Sequence, residues 1–127
     1  MRIMVLSTWF PYPLSQGSKI RAYHLIKALA RQHEVALVSF AEEPLQPGWL
    51  EHMRGICARV EVVEHNPFMK NRLRSLIGWV LPVPSAIYAG YSADMERCVL
   101  QTAQAWKPEL VLALTVITAP YARKVPQ

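Results

Sequence analysis

Four consecutive apolar residues, Ile3-Met4-Val5-Leu6, open the chain, and a short loop and one amphipathic stretch separate them from a second β-rich run, His33 to Phe40. A short apolar run without alternation suits a strand buried on both faces of a parallel sheet. Arg2 to Ser7 is therefore predicted as the first strand. The stretch Thr8 to Ser18 holds Pro11, Pro13 and Gly17 and reads as a loop, with Ser18 placed to cap a helix starting near Lys19. In that helix Ala22, Leu25, Ile26 and Leu29 form one apolar stripe, while Arg21, His24, Lys27 and Arg31 face elsewhere. Strand, helix and strand so close together predict a right-handed βαβ unit.

The same pattern continues. Gly48 to Ala58 places Leu50, Met53 and Cys57 at helical spacing, and Arg59 to Glu64 carries Val60, Val62 and Val63 as a third strand. Pro67 to Pro84 differs: Phe68, Leu73, Ile77 and Trp79 surround Lys70, Arg72 and Arg74, which predicts a basic amphipathic helix ended by Pro82. Ser92 to Trp106 is predicted as a further helix stopped at Lys107-Pro108, Glu109 to Leu114 as a fourth strand, and Thr118 onward as another helix. The alternation predicts an α/β fold, a Rossmann-like doubly wound parallel sheet of strand order 3-2-1-4, within one domain spanning residues 1–127.

Composition narrows the classes of function. Apolar residues at 52% and charged residues at 18% exclude a disordered chain. A net charge of +5 favours anionic neighbours such as phosphates, acidic lipid or nucleic acid without choosing among them. Cys57 and Cys98 lie far apart with neither a CxxC nor histidines at ligand spacing, so no disulfide framework or metal site is expected and a reducing cytoplasm fits. Thr8, Trp9 and Pro11 interrupt the first apolar run too early for a secretion signal, and no stretch of about eighteen apolar residues occurs, so membrane contact is expected to be peripheral.

In such a sheet ligands bind beyond the carboxyl ends of the strands, where the strand order reverses between the first and fourth. One loop there carries Gly17 and Ser18 before a helix whose N-terminus favours an anion, with Lys19 and Arg21 adding charge. The other supplies Thr115 and Thr118. With neither GxGxxG nor GxxxxGK[ST], nucleotide sites of those two types are disfavoured. His24, His33, His52 and His65 read as solvated or turn residues, and no carboxylate pair is discernible among Glu42, Glu43, Asp94 and Glu96.

The runs Pro11-Tyr12-Pro13, Gly17-Ser18-Lys19-Ile20-Arg21, His24-Leu25, Leu29-Ala30 and His33-Glu34-Val35 resemble the opening of family 4 glycosyltransferases of the GT-B fold, in particular sugar transferases of bacterial exopolysaccharide and PEP-CTERM loci. Lys107-Pro108-Glu109-Leu110-Val111 and Ala119-Pro120-Tyr121-Ala122 are similar to the fourth strand and next helix of that family. The resemblance implies the acceptor-side N-terminal half of a retaining enzyme that moves a sugar from a nucleotide-sugar donor to a glycan or lipid-linked acceptor. It also implies that the donor-binding domain and remaining strands of the first domain lie outside these residues, so that the fragment alone is inactive and self-associates through an uncovered sheet edge. Gly17 and Ser18 would then lie near the donor diphosphate, with Lys19, Arg21, Thr115 and Thr118 lining the cleft and catalytic residues unassigned. No cofactor, metal or nucleic acid is implied. In the basic amphipathic helix, Lys70, Arg72 and Arg74 would face an anionic membrane at its cytoplasmic side, or else stay in water while Phe68, Leu73 and Trp79 cover the sheet. A noncatalytic Rossmann-like binding module using its basic surface is the competing expectation.

Overall fold

The computed structural model describes residues 1–41, 44–64 and 92–126. The predicted basic amphipathic helix, with Lys70, Arg72 and Arg74, lies outside them, as do Glu42, Glu43 and His65. The order is β1 (Arg2–Ser7), α1 (Gly17–Ala30), β2 (Glu34–Ala41), α2 (Pro47–Arg54), β3 (Arg59–Glu64), α3 (Ala93–Trp106), β4 (Leu110–Ala113) and α4 (Ala119–Arg123). All strand pairs are parallel, and the sheet order is β3-β2-β1-β4, as the alternation predicts. The chain is α/β with a Rossmann-like sheet.

Register follows from burial. β1 lies between two neighbours, with Ile3 opposite Val35 on one side and Leu110 on the other, so its backbone groups are paired along both edges. Its side chains alternate between two cores. Ile3 and Val5, with Val35 and Leu37 of β2, pack against Tyr23 and Ile26 of α1 and Met53 of α2. Met4 and Leu6, with Ala36, Val38 and Phe40, pack against Met95, Val99 and Ala103 of α3 and Tyr121 of α4. A shift by one residue would exchange the two sets, so a sheet covered on both faces constrains its register through shape more than polarity.

Three local expectations are corrected. Gln16 is the N-cap of α1, in extended conformation, so Ser18 lies inside the first turn and caps nothing. On α1 the buried residues are Ala22, Tyr23 and Ile26, while Leu25 is 38% exposed. Ala22 and Ile26 lie where the stripe places them and Leu29 packs against the same core, so the correction is that Tyr23, whose ring reaches the sheet, is buried in place of Leu25. α2 ends at Arg54, not at Ala58: Gly55 takes the C-cap, and Cys57 reaches the core from the turn while its N–H bonds to Met53 O at 2.9 Å.

Helix α3 is bounded at both ends. Ser92 Oγ accepts from Met95 N–H at 3.2 Å, and Asp94 and Glu96 occupy the first turn. Its C-cap, Lys107, sits in the left-handed region at φ 54°, where its N–H bonds to Ala103 O at 2.9 Å and the chain turns into Pro108. Among the described residues no helix is long and apolar enough to cross a membrane.

Candidate functional site

β1 ends at Ser7 and β4 at Ala113, and the loops after them meet as predicted: the Thr8 and Thr115 hydroxyls are hydrogen-bonded, and Leu114 N–H bonds to Leu6 O at 3.0 Å. The hydroxyls here are engaged inward. Thr118 Oγ1 donates to Thr115 O at 3.0 Å and is fully buried, and Ser7 Oγ donates to Trp9 O at 2.6 Å. Thr115 and Thr118 thus staple the junction between β1 and β4.

At this same edge of the sheet, open space lies one strand over. A cleft of about 260 Å³ sits between the loop after β1 and the segment from the end of β2 into α2. Trp9, Tyr12 and Trp49 stand in its wall with the buried Phe10, and Lys19 and Gln16 bring polar groups from the start of α1. No described residue around it is acidic. Gly17, Ser18 and Arg21 are not among its walls; Gly17 is exposed beside it, and Arg21 is exposed on α1. A Cβ built on Gly17 would meet nothing within 4 Å, and no described glycine has positive φ, so neither packing nor backbone conformation calls for a glycine there.

The electrostatics of the rim come from two sources. Gln16 makes no side-chain cap bond and no acidic residue occupies the first turn of α1. The leading N–H groups of that helix therefore keep their partial positive charge, as helix N-termini do without a capping side chain. Lys19 stands next to them.

One wall is held by a cluster that sequence reading missed. Tyr12 stacks on the His52 imidazole with ring centres 4.1 Å apart and planes at 16°, and His52 Nε2 and the Tyr23 hydroxyl are hydrogen-bonded at 2.8 Å. The three residues come from the β1–α1 loop, α2 and α1. Nothing in their spacing along the chain announces the contact; the one available signal was a histidine on α2 close to the buried Met53. His24 meets the Tyr23 ring edge-on at 5.5 Å, and His33 Nδ1 is buried with no hydrogen-bond partner among the described residues.

Comparison with protein-family models, curated proteins and solved structures finds no match. The chemistry of the site rests on its own residues. Among the described residues no three His, Cys, Asp or Glu side chains gather as a metal site. Burial pushes the Cys57 thiol up to about 12 and raises that of Cys98, so both are protonated at neutral pH and poor nucleophiles. Asp94 and Glu96 pair with Arg97 and Lys124 on the opposite face of the sheet. What the cleft offers is aromatic surface, a cation and backbone donors, a combination suited to binding and to charge stabilisation rather than to nucleophilic attack.

Proposed function

We propose that this chain is the acceptor-side Rossmann-like domain of a retaining GT-B glycosyltransferase, which moves a sugar from a nucleotide-sugar donor to a glycan or lipid-linked acceptor in cell-surface polysaccharide synthesis at the cytoplasmic face of the membrane. The observation that carries this reading is the open cleft at the carboxyl ends of β1 and β2, rimmed by Lys19 and the uncapped start of α1. The opening runs around Pro11, Gly17 and His33 support it by resemblance. Charge develops on the leaving diphosphate as the sugar departs, and oriented N–H groups in a water-poor cleft stabilise such charge without a protein nucleophile. Gly17 and Ser18 would approach the diphosphate by backbone, while Lys19 and Arg21 add positive potential; a second domain, outside these residues, would hold most of the donor. Lys70, Arg72 and Arg74 serve the same reading as contacts with anionic lipid.

Gly17→Val in the enzyme that contains this domain tests the reading. The added side chain enters open space, so the melting temperature stays unchanged. Transfer from the nucleotide sugar falls by about tenfold or more, since one lost backbone contact to a developing anion costs about 1.5–3 kcal/mol. Unchanged transfer by a folded Gly17→Val enzyme would show that the glycine has no part in the reaction.

A further inference from the structure

We infer that the cleft binds an acidic sugar: a pyranose unit that stacks on the aromatic wall of Tyr12 and Trp49 and places a carboxylate or phosphate at Lys19. This deepens the proposed function, on which it rests for calling the ligand an acceptor; the binding itself stands on the cleft alone. A pyranose ring has a face of C–H bonds edged by hydroxyls. The C–H face matches the electron-rich face of an indole or phenol, and hydroxyls need donors and acceptors at the rim. Here Tyr12 and Trp49 provide the first, and Ser15 and Gln16 provide the second.

The size and charge of the cleft narrow the ligand. At about 260 Å³ it lies below the usual range for drug-sized or dinucleotide ligands and takes one ring with its substituent. Tyr12 is fixed by its stack on His52, itself tied to Tyr23, so that part of the wall is ordered before a ligand arrives. Lys19 is half-buried at the rim, and the described lining gives it no carboxylate partner. A carboxylate or phosphate on the ring would give that ammonium a charge-assisted partner, which a neutral sugar does not.

The test is titration of the 127-residue chain, followed by the indole N–H resonances of Trp9 and Trp49 assigned through single Trp→Phe variants. The probes are a glucuronate trisaccharide, glucose 1-phosphate, the neutral trisaccharide maltotriose, inorganic phosphate and uridine monophosphate. The expected result is a shift of both resonances with one or both acidic sugars, at least about tenfold tighter than with maltotriose, as one charge-assisted contact supplies. The first two arms separate a carboxylate from a phosphate source. Lys19→Gln should remove the preference for acidic sugars while leaving weak maltotriose binding, and Lys19→Arg should restore it. Equal binding of maltotriose, an unchanged preference in Lys19→Gln, or equally tight binding of inorganic phosphate or uridine monophosphate at the same resonances would each overturn the inference. Binding without transfer in the complete enzyme would fail only the glycosyltransferase reading. Transfer without these shifts would fail only this one.

Discussion

On the face of the sheet covered by α3 and α4, the entry to the helix is closed: Ser92 caps α3, acidic residues fill its first turn, and the buried Tyr121 hydroxyl accepts from Ser92 N–H at 2.9 Å. On the face covered by α1 and α2, neither helix has a side-chain cap; Gln16 and Gln46 occupy the cap positions without such bonds, and the cleft lies beside both starts. The two cores beneath are of similar make, built from alternate residues of the same strands. What separates the faces is the finish at their carboxyl edge. The short α4 also lacks a side-chain cap; it is the entry to α3 that has its polar groups matched within the protein, whereas the starts of α1 and α2 leave donors and a cation outward, where a ligand can supply what the chain does not.

The sharpest way to break this comparison is in the cores, which should respond alike. Leu6→Ala on the α3–α4 face and Leu37→Ala on the α1–α2 face, both fully buried, should each lower unfolding free energy in urea by about 2–5 kcal/mol. A loss under about 1 kcal/mol at one of them would mean that the face is not packed as described.

The helix entries should diverge. Tyr121→Phe should cost about 1–3 kcal/mol because it leaves the buried Ser92 N–H without its acceptor. Ser92→Ala should cost about 1 kcal/mol through the lost cap. Gln16→Ala, by contrast, should stay within about 0.5 kcal/mol of wild type, since no cap bond is lost. Equal losses at Ser92 and Gln16 in the same denaturation series would abolish the distinction between closed and open entries.

The smallest effect at neutral pH belongs to Cys57. Burial keeps its thiol protonated to about 12, whereas the unfolded thiol ionises around 9.0. Above the unfolded value the unfolded chain binds fewer protons than the folded one, so stability falls as pH rises from 9.0 towards 12 and is unaffected below it. The decline should be shallower in Cys57→Ala than in wild type, measured as urea midpoints against pH. Iodoacetamide at pH 8.5 should label Cys57 only after unfolding; rapid labelling of the native chain would contradict its burial.

Much of the framework was legible because hydrophobic pattern reports burial directly. The continuous, short run Ile3 to Leu6 suits a strand covered on both sides, and its bounds, Arg2–Ser7, are those observed. Lys107-Pro108 ended α3 as read, because the proline resists helical continuation and Lys107 adopts the left-handed cap. The site was less legible. Ser18 is a good capping residue two positions from where the helix is capped, and spacing does not decide which residue turns the backbone. Leu25 fits the apolar repeat as well as Tyr23 does, and only the depth of the sheet favours the larger ring. Thr115 and Thr118 face the strand ends as expected, but whether a hydroxyl serves a ligand or a loop depends on neighbours distant in sequence. The stack of Tyr12 on His52 is purely tertiary and leaves no trace in periodicity.

The central place of β1 also bears on how the chain comes together. Arg2 pairs with Glu34, a partner 32 positions along, whereas Ile3 must find Leu110 at a separation of 107. Closing the longer loop costs about 1 kcal/mol more in chain entropy than closing the shorter one. Pairing of β1 with β2 is favoured by that margin before any contact with β4 is counted. Until the distant segment returns with α3 and α4, Met4, Leu6, Ala36, Val38 and Phe40 lack the cover that those helices give them. The time spent without that cover is governed by the search of the longest loop, and it is the interval in which association between chains competes with folding within one.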